Sequence, residues 1–253
     1  MKAYFVLRVV LMFVLAVIFT LLPFTVAHAH IEGCAALGVC CGGCDAVTGT
    51  GCGGHSMAGG ALSNHTAYAQ YSGASHFVGF GFNTDNTAQT VFGGTGFGKR
   101  GNSLELTVTM ADVSQFSDFL FSAKYQFLGE TATRPAMAVG VDAINEIPDQ
   151  MPRSFYIVAS KYVPLRRLPL VASLGWGSGR FQDSFFGDLT FILGKHWSFI
   201  AEYDGLGGNL GISFGTELSL WRPFPVVFLL GFENAFASDE KSAVTLGAGI
   251  ELH

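Results

Sequence analysis

The feature that most constrains this chain is a hydrophobic period of two, sustained over long runs and repeated through most of its length. Leu104, Leu106, Val108 and Met110 alternate with Glu105, Thr107 and Thr109. Phe119, Phe121, Ala123, Tyr125 and Phe127 alternate with Asp118, Leu120, Ser122, Lys124 and Gln126. Leu210, Ile212, Phe214, Thr216, Leu218 and Leu220 alternate with Gly211, Ser213, Gly215, Glu217 and Ser219. Helical spacing cannot produce this pattern, because only a strand sends successive side chains to opposite faces. Many runs last about nine to twelve residues, which matches the ~9–11 needed to cross a bilayer at a tilt.

Gly, Asn, Asp and Pro clusters punctuate the runs and divide residues 76–252 into about twelve strands. They are expected near 76–82, 88–97, 102–110, 116–128, 134–144, 153–163, 169–176, 184–193, 197–204, 209–220, 225–235 and 243–252. Alternation is weakest in the first two, so ten strands is the alternative count. Connections as short as Gly98-Lys99-Arg100-Gly101 leave no room for crossover helices, and neighbouring strands must pair antiparallel. In hydrocarbon an unpaired sheet edge is untenable, and closure removes it. The expected fold is therefore all-β, an antiparallel transmembrane barrel of the outer-membrane type, over residues 76–253. A soluble β-sandwich or lipocalin-like barrel also alternates, but its outward face is mostly polar. Here one face is aromatic and aliphatic while the other carries the small, polar and charged residues, as an outer-membrane barrel requires.

Composition agrees once an N-terminal segment is set aside. Charged residues make up 13% and hydrophobic residues 49%, against about 25% charged in an average soluble domain. Mean hydropathy is +0.40. Lys2 and Arg8 precede an apolar run from Val9 to Val26, and Ala27-His28-Ala29 places small residues at both cleavage positions. That layout is a secretory signal peptide over residues 1–29, with cleavage expected before His30. A retained membrane anchor is the other reading. The remaining residues keep all 19 acidic and 12 of the 14 basic residues, a formal charge of −7. Without a concentrated basic face, nucleic acid is not an expected partner.

Residues 30–75 have a different character. Cys34, Cys40, Cys41, Cys44 and Cys52 are all the cysteines of the chain, set among closely spaced glycines. So much glycine raises the entropy cost of order and brings little apolar area. The expectation is a flexible periplasmic leader or a small linked plug. Disulfides or free thiols suit an exported segment, with one of five cysteines left over. His30 and His55 invite a metal reading, yet Cys41-x2-Cys44 lacks the second paired unit of a zinc site. No metal and no cofactor is expected. Cys34 is the one positional candidate for lipidation, after Ile31-Glu32-Gly33.

Strand alternation also sorts the connections. Those near 98–101, 129–133, 164–168, 194–196 and 221–224 carry Lys99, Arg100, Arg166, Arg167, Lys195 and Arg222, with Glu130 as their acid. The opposite set carries Asp85, Asp112, Glu146, Asp149, Asp183, Asp239 and Glu240, with Arg180 and Lys241. If the C-terminus is periplasmic, the outer mouth is acidic and favours cations by electrostatic focusing, or the acidic loops simply solubilise the surface. Glu105, Lys124, Glu202, Glu217 and Glu233 are the candidate lumen residues. Lys124, with Arg180 or Lys161, is the expected relief for carboxylates sharing so confined an interior.

An enzymatic constellation is hard to build. His196 and Ser198 share a strand face with Glu202 beyond them, but like-facing neighbours on a strand stand about 6.5–7 Å apart, long for a nucleophile and its base. The glycines at 93–98 lack the Lys-Ser/Thr pair and following helix of a phosphate loop. No catalytic residue is assigned.

Gly175-Trp176-Gly177-Ser178-Gly179-Arg180-Phe181, then Trp197-Ser198-Phe199-Ile200-Ala201-Glu202-Tyr203-Asp204-Gly205 and Asn209-Leu210-Gly211-Ile212, resemble the YjbH-like family of outer-membrane barrel lipoproteins. Gly177, Gly179, Arg180, Glu202, Asp204 and Asn209 are the matching motif positions. The resemblance implies an association with exopolysaccharide production or export and no enzymatic activity. Expected partners are outer-membrane lipid, the outer-membrane insertion machinery and polysaccharide-export components. The resulting expectation is a porin-like transport or envelope-assembly component. The alternatives are a non-conducting structural or adhesion-type barrel, and a soluble exported β-sandwich binding protein.

Overall fold

In the computed structural model the described residues are 64–69, 76–84, 89–99, 101–113, 117–146, 152–165, 168–194, 196–219, 223–235 and 242–252. The signal-peptide reading, the five cysteines and most of the leader lie outside them.

Twelve strands form: β1 (His76–Asn83), β2 (Gln89–Lys99), β3 (Asn102–Asp112), β4 (Ser117–Leu128), β5 (Ala136–Asp142), β6 (Ser154–Val163), β7 (Leu170–Gly177), β8 (Ser184–Ile192), β9 (Trp197–Tyr203), β10 (Gly208–Ser219), β11 (Pro223–Glu233) and β12 (Ala243–Leu252). Each pairs antiparallel with its sequence neighbours, and β1 pairs with β12 from His76↔Leu252 to Asn83↔Thr245. The sheet is a closed barrel. Both weakly alternating strands are present, so the count is twelve and not ten.

Closure assigns the two faces. Leu104, Leu106, Phe121, Ile157, Leu174, Trp176, Phe185, Trp197 and Phe228 are exposed on the outside, with Leu174 at 63% and Phe185 at 64%. The alternate positions point inward and are buried: Ser103, Glu105, Lys124, Ser160, Asp188, Thr190, Ser198, Glu202 and Ser213. This is the reverse of a soluble barrel, in which the apolar face is the hidden one.

Twelve strands spaced ~4.8 Å apart and tilted ~40° enclose a backbone cylinder of about 12 Å radius. Inward side chains from opposite walls therefore leave room for roughly one extended chain. That space is filled in a regular way. Tyr156 lies over Gly140, Phe186 over Gly175 and Phe92 over Gly79, the nearest ring atom in each case 2.2 Å from where a β-carbon on the glycine would stand. In every case glycine and ring are registered cross-strand partners. At these three positions the strand glycine is thus explained by a ring that packs against bare backbone and fills the interior.

Residues Asn64–Ala69 of the cysteine- and glycine-rich leader lie inside this cylinder. Ala67, Tyr68, Tyr156, Val158, Val171, Phe181 and Phe186 share one buried apolar cluster with Ala136 and Ala138. Of the leader, residues 30–75, only Asn64–Ala69 are described, and these lie in the lumen.

Candidate functional site: the barrel lumen

The lumen is built from the inward residues of the wall and from Asn64–Ala69, which is held at nearly every step. The Asn64 amide donates to the backbone oxygens of Gly187 (3.0 Å) and Tyr203 (2.9 Å). His65 Nε2 lies 2.6 Å from Asp142 Oδ2, and its ring stacks on Tyr156 at 4.2 Å between centroids and 11° between planes. The Ala67 N–H donates to Ser160 Oγ at 2.7 Å. The Tyr68 hydroxyl donates to Glu130. The Ala69 N–H donates to Gln126 Oε1 at 3.2 Å, and Ser103 Oγ donates to the Ala69 carbonyl at 3.3 Å.

These partners give the segment a direction. Tyr203 and Asp142 end β9 and β5, at the mouth where Asn83 ends β1. Glu130, Gln126 and Ser103 stand at the other mouth, where β1 begins. The segment therefore runs from one mouth to the other, leaving Ala69 near the end from which His76 enters the wall. Six extended residues cover about 20 Å, comparable to the ~25 Å apolar height of an outer-membrane barrel.

Around His65 the wall supplies a charged and aromatic cage. Arg180 Nε lies 3.1 Å from the same Asp142 oxygen that faces His65. The Arg180 guanidinium also sits 4.3 Å over the Phe181 ring, and Phe181 stacks on Phe186 at 4.2 Å. Local sequence makes this possible. Gly179 adopts φ +61°, and a β-carbon there would stand 2.5 Å from the Arg153 carbonyl. The one-turn 3-10 helix Gly179–Phe181 that follows folds Phe181 inward against Gly177. The motif positions Gly177, Gly179 and Arg180 thus build the lumen cage.

Motif positions Glu202, Asp204 and Asn209 form a second cluster at the same mouth. Asn209 Nδ2 donates to Glu202 Oε1 (3.2 Å) and Asp204 Oδ2 (2.9 Å), and its Oδ1 accepts from the Asn234 N–H (2.9 Å). Asp204 Oδ1 accepts the N–H groups of Leu206 and Gly207, each at 2.9 Å. Asp204 is therefore a turn residue, satisfying the backbone of the β9–β10 connection. Beside this cluster, Asp188 is registered against Glu202 across β8–β9, and both are buried. On its other side Asp188 is registered against Ser173 across β7–β8.

The remaining lumen residues named from sequence are placed as follows. Glu105 and Lys124 are registered partners whose charged atoms lie 3.1 Å apart, both buried. Glu233 accepts from Asn83 Nδ2 (2.9 Å) and pairs with the Thr245 hydroxyl. Glu217 falls within β10, and its side chain lies outside the described residues. Lys161 faces Glu130 at 3.2 Å and not the carboxylates deeper in the lumen. His196 Nδ1 lies 2.8 Å from the Gly215 carbonyl, and Ser198 Oγ 2.6 Å from Ser213 Oγ. Among the described residues, no group of three or more His, Cys, Asp or Glu side chains could hold a metal ion.

Sequence reasoning missed His65, Tyr68, Glu130, Asp142, Tyr156 and Asp188 as lumen residues. Asp142 and Asp188 had a usable signal, since each occupies the polar parity of its strand. The stretch Asn64-His65-Thr66-Ala67-Tyr68-Ala69 is free of glycine just after a glycine-rich tract.

No family model matches the chain, and no curated protein matches it. Among solved structures, the barrel is similar to the NanC porin, at 8% sequence identity and a TM-score of 0.44, over 71% of this chain and 100% of that one.

Proposed function

We propose that the chain spans the bacterial outer membrane as a twelve-stranded barrel and serves as a transport component of the envelope. The observation that carries the reading is the inversion of its faces: a closed wall, apolar outside and lined inside with Ser103, Glu105, Lys124, Thr190, Ser198, Glu202 and Ser213. Exposed aromatics and aliphatics on this scale are stable against lipid and a liability in water. Outer-membrane lipid and the insertion machinery are then the first partners, and the start of β1 and the end of β12 face the periplasm.

Purified barrel in planar bilayers tests transport. Single-channel steps whose cation preference weakens in Glu233→Lys support a route past that carboxylate. Silence at every voltage, from protein shown to be folded, contradicts it. A link to polysaccharide export rests on the motif resemblance around residues 175–213. Loss of surface polysaccharide from cells lacking the chain would support it.

A non-conducting structural barrel is the second reading, and one observation favours it. Asn64–Ala69 already occupies the lumen.

A further inference from the structure

We infer that Asn64–Ala69 is an internal plug, docked to be released, which closes the β3–β9 side of the lumen until it withdraws. This rests on the transport reading and adds its regulation.

The seat is one-sided. Thr66, Ala67, Tyr68 and Ala69 are buried against inward residues of β3 to β8, where Ser103, Gln126, Ala136, Ala138, Ser160 and Phe186 are buried in turn. Across the lumen, Val227, Leu229, Thr245 and Gly247 of β11 and β12 remain half-buried. The segment therefore lines one wall and narrows a passage that it does not fill evenly.

The attachment is also of a releasable kind. Three wall contacts are single hydrogen bonds with side chains: the Ala67 N–H donates to Ser160 Oγ, the Ala69 N–H donates to Gln126 Oε1, and Ser103 Oγ donates to the Ala69 carbonyl. Tyr68–Glu130 and His65–Asp142 are hydrogen bonds between polar side chains that water can replace. No strand ladder ties the segment to the sheet: each barrel strand already has both neighbours. Because the wall closes without the segment, leaving the lumen costs only the contacts of the segment itself. A strand of the wall could not leave without opening the barrel.

Ala67 is the fulcrum, fully buried between Ser160 and the Tyr156–Phe186 cluster. At its two ends His65 and Tyr68 reach carboxylates near opposite mouths, Asp142 and Glu130. A segment pinned at both ends and in the middle blocks its side of the lumen through the full height.

The test is single-channel recording in planar bilayers of the full chain, beside a variant in which residues 64–69 are replaced by a Gly-Ser hexapeptide of equal length. Heat-modifiable gel migration verifies that each barrel is folded. The expected result is small or infrequent steps for the native chain and steps several-fold larger for the replacement. A milder variant, His65→Ala with Tyr68→Phe, keeps Ala67 seated and should raise opening frequency about tenfold or more without changing the size of the largest step. Equal step size and frequency in all three folded chains overturn the plug and leave transport standing. Silence in all three overturns the transport reading, and the plug with it.

Discussion

The ring of Tyr156 lies flat over the bare backbone of Gly140, its registered partner on β5, and carries the imidazole of His65 on its other face. A wall glycine, a wall aromatic and a plug residue are thus stacked in order from the barrel surface to its centre. Replacing Gly140 by alanine places a methyl 2.2 Å from the Tyr156 ring, so the ring must lift toward His65. The expected cost is about 1–3 kcal/mol, as for overpacking elsewhere, and it falls on plug docking as well as on the wall. Gly140→Ala should therefore lower the melting temperature in detergent and make the Asn64–Ala69 segment more susceptible to protease. Native-like protection of the segment would show that ring and imidazole are not coupled.

Glu105 and Lys124 form an ion pair within the lumen, each side chain about 10% exposed. Removing one partner takes away the other's opposite charge, which costs about 3–5 kcal/mol for a buried pair. Glu105→Gln and Lys124→Met should each destabilise the barrel on that scale in urea titrations from lipid vesicles. The exchange Glu105→Lys with Lys124→Glu should recover most of the loss. An exchange no better than the single changes would mean that the surrounding field, and not the pair, fixes the charges.

Asp188 has the opposite expectation, since it stands registered beside Glu202 across β8–β9, with Ser173 as its neighbour across β7–β8. Like charges side by side on a sheet are destabilising, and burying a carboxylate adds a desolvation cost. Asp188→Asn, which keeps the shape and cannot ionise, should stabilise the barrel by about 1 kcal/mol at alkaline pH, where Asp188 and Glu202 would otherwise both carry charge. A fall in the thermal midpoint would show that the carboxylate has a partner that only its charged form can hold.

The wall was legible in the sequence because a period of two is imposed on every strand by the same pair of environments. Even the glycine-rich β1 and β2 stand where turn residues placed them. The ends of strands were harder, because single residues decide them. β5 spans Ala136–Asp142 and not 134–144. Thr131 and Arg134 close the preceding turn on each other, and Ala143 at φ +51° ends the strand. The motif positions 177–180 were visible as a pattern, but their role in building the cage needed the positive φ of Gly179 and the inward fold of Phe181. The plug was not legible in detail. Five of its six residues are held by isolated bonds to seven residues spread around the wall, an arrangement that leaves no period in the sequence.

The central claim is that the apolar outer face meets lipid, and Leu174 tests it most directly. This residue lies in the middle of β7, 63% exposed, between the small registered partners Ala159 and Gly187. A longer side chain meets no steric obstacle there, so a substitution reports the surrounding medium. Leu174→Arg should reduce the stability of the folded barrel in lipid vesicles by about 2–4 kcal/mol, the cost of arginine near the bilayer midplane. An exposed site in water would tolerate the same change within about 0.5 kcal/mol. Reversible urea unfolding of the native and Leu174→Arg chains in vesicles separates the two outcomes. A loss in the former range supports a membrane-spanning barrel, and one within the latter contradicts it.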